Sequence, residues 1–278
     1  MAGMGMITRW SLIHTLRRTR MFIVDTHCHV SPYWYEPVES LVSQMDRNGV
    51  DKAVLIQMLG QYDNEYQFEC EMRYPGRFAS VVLVNTVSCD ASQRLEKLAE
   101  QGARGVRLRP DDPLKIWQKA ADVGLVVSCL GTPPAFASPA FAEILESLPS
   151  LPVIIEHLGG MTEWNESATE SVKDAVLALN RFPNAYMKIH GLGEFCRRRM
   201  PVTNLYPFDP AGLPLLHRAC DAFTGRVMWG SDFPPVSFRE GYANALHLPM
   251  NELKSRPAAE RTEIFGSLAA RMFGLESQ

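Results

Sequence analysis

Two histidines stand two residues apart at the end of the first apolar run, Phe22-Ile23-Val24-Asp25-Thr26-His27-Cys28-His29. Residues two apart on a strand share a face, so the imidazoles of His27 and His29 project together and Cys28 points the other way. Paired imidazoles at a strand end can hold a divalent metal or polarise a substrate carbonyl; a pair that merely sits on the surface does neither. Other polar residues close later apolar runs: Arg107 and Arg109 in Gly105-Val106-Arg107-Leu108-Arg109-Pro110, His157 after Glu156, Lys188 and His190 in Met187-Lys188-Ile189-His190, and Asp232 after Trp229-Gly230-Ser231. A carboxylate such as Asp232 can take a proton from water. Arginine and lysine can anchor a substrate carboxylate, arginine through a two-pronged fork, or pair with acids inside the protein.

These groups need a scaffold that brings several strand ends to one place. Short apolar runs near 22–25, 52–56, 78–84, 105–108, 125–129, 152–156, 185–189 and 227–230 predict eight strands. Helical patterns separate them: one starting with Pro37 at the first helical position and running toward Asn48-Gly49, then roughly 64–74, 91–101, 114–123, 139–147, 168–181 and 213–223, with a last helix over 259–273. Strand and helix alternating eight times imply a parallel sheet, and the uninterrupted apolar strands suit one covered on both sides. The spacing fits an α/β fold of one domain, a closed (β/α)8 TIM barrel. An open doubly wound sheet is the alternative, but the first strand lacks a GxGxxG turn. In such barrels chemistry sits at the C-terminal strand ends, where the polar residues above recur. The longest irregular stretch, 191–212, carries Arg197-Arg198-Arg199 and reads as a lid or binding loop. Tyr33, Trp34 and Tyr35 follow the first strand in a loop expected to overhang the pocket, where they could stack on a flat ring or simply pack on the surface.

Composition narrows the class further. The chain has 278 residues, 46% of them hydrophobic, enough for one large core, and a net charge of −3 that gives no reason to expect a nucleic-acid partner. No apolar stretch reaches the roughly 18–20 residues of a membrane span. Six cysteines are scattered without a CxxC pair, which predicts reduced thiols and a cytoplasmic protein. Residues 1–20 hold Arg9, Arg17, Arg18 and Arg20 and no acid. They are expected to be an extension outside the fold, either non-native or a targeting segment; the barrel domain is expected over 21–278.

From Met21 to Leu275 the pattern resembles the amidohydrolase superfamily and, within it, the amidohydrolase-related group. The resemblance rests on Val24-Asp25-Thr26-His27-Cys28-His29, Gly105-Val106-Arg107, Glu156-His157-Leu158-Gly159, Met187-Lys188-Ile189-His190-Gly191, Trp229-Gly230-Ser231-Asp232-Phe233-Pro234 and a closing helix over 264–275, in which Leu268 stands where relatives usually carry Asn. Two departures matter. Strand four ends Leu108-Arg109-Pro110, without the lysine or glutamate of two-metal members. Strand five reads Val126-Val127-Ser128-Cys129, without the histidine usual in members with a firm single metal, decarboxylases included. Cys129 is either a substitute soft ligand or a small buried thiol.

The pattern looks most like the lactonase branch, some members of which bind one zinc and others none tightly. That resemblance implies a hydrolase opening a lactone or related cyclic ester, with Asp232 as general base and His27, His29 and His157 over the carbonyl, acting directly or through zinc. A metal, if bound, would take His27, His29 and Asp232, with His157 nearby. Arg107, Arg109, Lys188 and His190 are the candidate substrate contacts, and the substrate is expected to be an anionic lactone. A metal-dependent decarboxylase and a non-catalytic binding barrel are the rival readings. A homodimer is the assembly expected of a barrel of this kind.

Overall fold

The computed structural model describes residues 20–162, 164–202 and 207–276. Eight parallel strands follow one another around a barrel in chain order: β1 Val24–Cys28, β2 Lys52–Ile56, β3 Phe78–Val82, β4 Gly105–Leu108, β5 Val126–Cys129, β6 Val153–Ile155, β7 Ala185–Ile189 and β8 Val227–Trp229. This is the (β/α)8 TIM barrel the alternation predicts. Helices Val38–Asn48, Glu65–Arg73, Ala91–Glu100, Leu114–Asp122, Pro139–Ser147, Glu170–Leu177 and Leu213–Ala222 occupy the expected positions. Pro37 precedes the first helix as its N-cap rather than opening it. The stretch predicted as one helix over 168–181 ends in a 3-10 turn, Ala178–Arg181, and the last helix is broken by a π turn, Glu263–Ser267. Among the described residues two α-helices are additional, Pro133–Phe136 and Tyr242–Glu252; the second contains Pro249, a residue that interrupts helical patterning. Of the extension expected over 1–20, all but Arg20 lies outside the described residues; Arg20 donates to the Gly49 carbonyl at 2.8 Å and pairs with Asp51.

Period-two alternation sorts each strand into two environments. Val106, Leu108, Val127, Cys129, Val153, Ile155, Met187 and Ile189 face outward into the main core beneath the helices. The inward positions form layers. Val24, Val54, Ile56, Ala79, Val81, Val126, Ile154 and Met228 fill the floor with Phe273 of the closing helix. Two residues further along the strands the inward positions turn polar: Arg107 on β4, Ser128 on β5, Glu156 after β6 and Lys188 on β7, all buried. The floor therefore closes the barrel with apolar side chains, and the next layer up supplies charges.

The barrel closes through side chains as much as through backbone. Between β1 and β8, Thr26 Oγ1 donates to the Trp229 carbonyl at 2.7 Å. His29 N donates to Phe233 O at 2.7 Å and Asp232 N to His27 O at 2.9 Å. The buried carboxylate of Asp25 accepts from Ser231 N at 2.7 Å, from His27 N at 3.2 Å and from the Tyr242 hydroxyl at 2.7 Å. Against β2, the register of β1 slips between Asp25 and Cys28, a bulge at Thr26-His27 of the kind that re-aims a side chain beside a site. At Gly230 the two chains come so close that a Cβ would stand 2.7 Å from His27 Cβ and 2.9 Å from His27 N. Gly230→Ala should thus force β8 off β1, at about 1–3 kcal/mol. Thermal denaturation should show a lowered melting temperature; an unchanged one would mean the seam is loose.

Candidate active site

The strand ends and the loops after them bring His27, His29, His157, His190 and Asp232 together at the barrel mouth. The His27 ring centroid lies 4.9 Å from that of His29, 4.8 Å from His157 and 5.1 Å from His190, and His157 stacks on His190 at 4.3 Å. Asp232 Oδ1 faces His29 Nε2 at 3.7 Å and His27 Nε2 at 3.8 Å. Asp232, His157 and Leu158 hold left-handed backbone, φ 60°, 54° and 50°, a costly choice for such residues that directs both chemical side chains inward.

Hydrogen bonds assign the tautomers. His29 Nδ1 lies 2.7 Å from the carbonyl of Ile56, which only an N–H can satisfy, so its Nε2 presents a lone pair. His27 Nδ1 lies 3.2 Å from Lys188 Nζ; with the ammonium donating, His27 carries its proton on Nε2. Burial, reinforced by Lys188, keeps His27 neutral, and burial with Arg107 nearby pushes His29 down to about 3. Burial likewise lowers His190. His157 behaves oppositely: burial disfavours its cation, but Glu194, bonded to its Nδ1, outweighs that and raises it. Burial lifts Asp232 to about 6, against the pull of His157.

Arg107 and Lys188 are already engaged. Arg107 donates to Glu156 Oε2 from Nη2 at 2.8 Å and Nε at 3.2 Å, and from Nη1 to the Gln57 carbonyl at 3.2 Å. Lys188, wholly buried, donates to Thr26 O at 3.0 Å and Ser128 Oγ at 3.2 Å, and burial lowers it to about 8. Ser128 in turn donates to Glu156 Oε1 at 2.6 Å. Arg109 is different: exposed beyond β4, it lines a cavity of about 270 Å³ with Tyr62, Leu59 and Arg107. Cys129 lies in the apolar core and joins none of the metal-capable groups among the described residues. Those groups are His27 with His29 and Asp232, His27 with His157 and His190, and His157 with Glu194 and Asp232.

Three acidic or basic residues at the site have no strand position to announce them. Arg239 Nη1 reaches Asp232 Oδ2 at 2.8 Å and Glu194 Oε2 at 2.9 Å, so one guanidinium joins Asp232 to the partner of His157. Glu194 comes from a 3-10 turn, Leu192–Glu194, inside the irregular 191–212 stretch. Glu240 sits where Cβ atoms on Gly191 and Gly193 would be, 1.9 and 2.0 Å from its oxygens, so the glycines make room for it.

Residues 24–275 match the amidohydrolase family, Amidohydro_2. The chain belongs to that family. Its HxH at the end of β1, His157 and Asp232 thus stand in an amidohydrolase barrel. A curated relative, the 4-sulfomuconolactone hydrolase of Hydrogenophaga intermedia, is 25% identical over 90% of this chain and 88% of its own. A Burkholderia multivorans amidohydrolase with bound zinc superposes with a TM-score of 0.76 at 19% identity, covering 92% of this chain and all of that one. A structure assigned as a 2-pyrone-4,6-dicarboxylic acid hydrolase from Acinetobacter baumannii, with citric acid bound, gives 0.67 at 20% identity over 91% of this chain and all of that one. The structural likenesses establish the shared barrel.

Glu240 makes one electrostatic consequence measurable. Its oxygens have no hydrogen-bond partner, Arg239 Nε stands 3.6 Å away, and burial raises it to about 7. Between its ordinary value near 4.5 and about 7 the folded protein holds a proton the unfolded chain has lost, so stability falls as pH rises through that window. Glu240→Gln should therefore be more stable than the parent above pH 7, by about 1–3 kcal/mol, with the gain vanishing below pH 4.5. Denaturant melts at both pH values would show it; a parent that is the more stable at pH 8 would refute the assignment.

Proposed function

We propose that this protein hydrolyses a lactone or related cyclic ester, most plainly one bearing an acidic group. The observation that carries the reading is Asp232: one oxygen is held by Arg239 and the other is left facing His29 and His27. A carboxylate so held has one basic oxygen to offer an attacking water. The family membership and the lactone-hydrolysing relative support the same reaction class.

On these residues the chemistry divides as follows. Asp232 Oδ1 takes the proton of the water that adds to the lactone carbonyl. The Nε2–H of His27 and the protonated His157 face the developing oxyanion as donors. His29 presents a lone pair, so it accepts from the water and cannot serve as an oxyanion donor. As the ring opens, the acyl C–O bond breaks and the proton held by Asp232 passes to the departing alkoxide, giving a hydroxy acid. Arg107 and Lys188 hold the floor of the site through Glu156, Ser128 and His27 rather than presenting free charge. Arg109 at the rim, in the cavity it shares with Tyr62, is the cation positioned to take the acidic group of a substrate, with His190 lining the inner wall against His157.

The residues also fit one divalent metal. The outward lone pair of His29, the free Oδ1 of Asp232 and the unpartnered Nε2 of His27 lie within 4.8 Å of one another. A zinc held there would supply a polarised water and an electrophile for the carbonyl. To ligate it through Nε2, His27 would move its proton to Nδ1, with Lys188 accepting as the amine.

Asp232→Asn is the deciding variant. It should keep the fold, with far-ultraviolet circular dichroism unchanged, and lose about 10²- to 10⁴-fold in kcat on an anionic lactone panel. Elemental analysis of protein purified without chelator should find about one zinc per chain in the parent, reduced in the variant, if the metal-assisted route operates. A variant that retains full turnover would overturn Asp232 as base, and tight metal with carbon dioxide release would favour the decarboxylase reading.

A further inference from the structure

Among the described residues, every large exposed hydrophobic side chain except Met72 lies between the end of a strand and the first residue of the following helix. All of these segments leave the barrel at the end that carries the histidines. Exposed apolar surface concentrated at one end of a soluble barrel marks that end for binding. The first βα loop contributes most: Tyr33 is 96% exposed, Trp34 68% and Tyr35 36%.

That loop is tied down. The buried Ser31 accepts at Oγ from Tyr33 N and Trp34 N, each at 3.3 Å, and Ser31 N donates to the Glu36 carbonyl at 3.0 Å. The closed turn presents a double layer of rings, Trp34 stacked on Tyr35 at 4.6 Å and 11°. Tyr35 is the layer nearer the chemistry, with its ring centroid 6.0 Å from that of His29 at a tilt of 44°. A prearranged pair of rings loses little freedom on binding and favours a flat partner at stacking distance.

Building on the lactonase reading, we propose that Tyr35, backed by Trp34, is a subsite for a flat aromatic substituent of the substrate, held next to the lactone carbonyl. Two features favour this occupant over a second protein. The platform is continuous with His29, so a group seated on it stays within one ring of the reacting centre. The charges lining the interior are already matched, Arg107 by Glu156 and Arg239 by Asp232 and Glu194, so beside the acidic group taken by Arg109, selectivity for an uncharged substituent falls to the apolar rim.

The test compares an aryl-fused lactone, dihydrocoumarin, with the aliphatic δ-valerolactone, and measures calorimetric binding of their products, 3-(2-hydroxyphenyl)propanoate and 5-hydroxypentanoate. The intrinsic reactivities cancel in the change of the aryl-to-alkyl kcat/KM ratio between parent and variant. Tyr35→Ala should lower that ratio by about five- to tenfold. Trp34→Ala should lower it by less and Tyr35→Phe hardly at all, and the aryl product should lose affinity in step. A ratio and product affinities that ignore Tyr35→Ala would overturn the subsite. So would a parent dimer, seen by sedimentation, that Trp34→Ala dissociates, since the rings would then belong to an interface between copies. If the parent opens neither neutral lactone, the lactonase reading is decided separately on the anionic panel, and the product-binding arm still decides the subsite.

Discussion

The contact between the first and last strands is the constraint on which the site depends. β1 carries His27 and leads directly into His29, and the chain leaving β8 carries Asp232. They meet only because the barrel is drawn shut between those strands. Asp25 does much of that work, as one buried carboxylate gathers a backbone amide from each side and the hydroxyl of Tyr242. Burial makes this carboxylate hard to ionise, while the three donors favour the charged form. Gly230 removes the one side chain that would hold the strands apart. The bulge in β1 then turns His27 toward the mouth, so the device that closes the barrel also aims the chemistry.

Above the apolar floor lies a layer of matched charge. Arg107 and Lys188 hold Glu156 ionised well below the usual carboxylate range, although burial opposes it. Taking such charges out of water is costly, and their mutual attraction does not reliably return a net gain in stability. What the layer provides is position: Lys188 fixes the proton of His27, and Glu156 fixes Arg107. A second ionic chain, His157–Glu194–Arg239–Asp232, runs across the mouth and links the His157 imidazole to the aspartate through two intermediaries. His157 and Asp232 are thereby held in one network rather than as independent side chains.

The difference between what the sequence disclosed and what it concealed has a physical basis. Strand residues obey a period of two, so the apolar floor, the polar layer and the inward Arg107, Lys188 and His190 are readable from alternation, whereas His27, which alternation from Val24 would turn outward, faces inward through the bulge in β1. The eight strands and most of their helices follow from the same patterning. The helix Tyr242–Glu252 is hidden by Pro249, and the π turn in the last helix has no local signature. Glu194, Arg239 and Glu240 arrive from loops after β7 and β8, where no period relates residue number to direction. Their roles exist only as tertiary pairings, Arg239 meeting Asp232 seven residues back and Glu194 meeting His157 across β7. Likewise Arg107 and Arg109 look equivalent in the sequence, and only the folded chain shows one matched by Glu156 and the other exposed.

The left-handed backbone at His157, Leu158 and Asp232 has a consequence for how such a chain can change. Each such residue costs on the order of 1–2 kcal/mol against an ordinary conformation. Glycine or asparagine would adopt the same backbone with less strain. Mutational drift, or a design procedure rewarded only for thermal robustness, would therefore be drawn toward these positions first and would erase the imidazole and the carboxylate as it improved the fold. At His157 and Asp232 the chain thus carries an imidazole and a carboxylate on backbone that glycine or asparagine would hold with less strain.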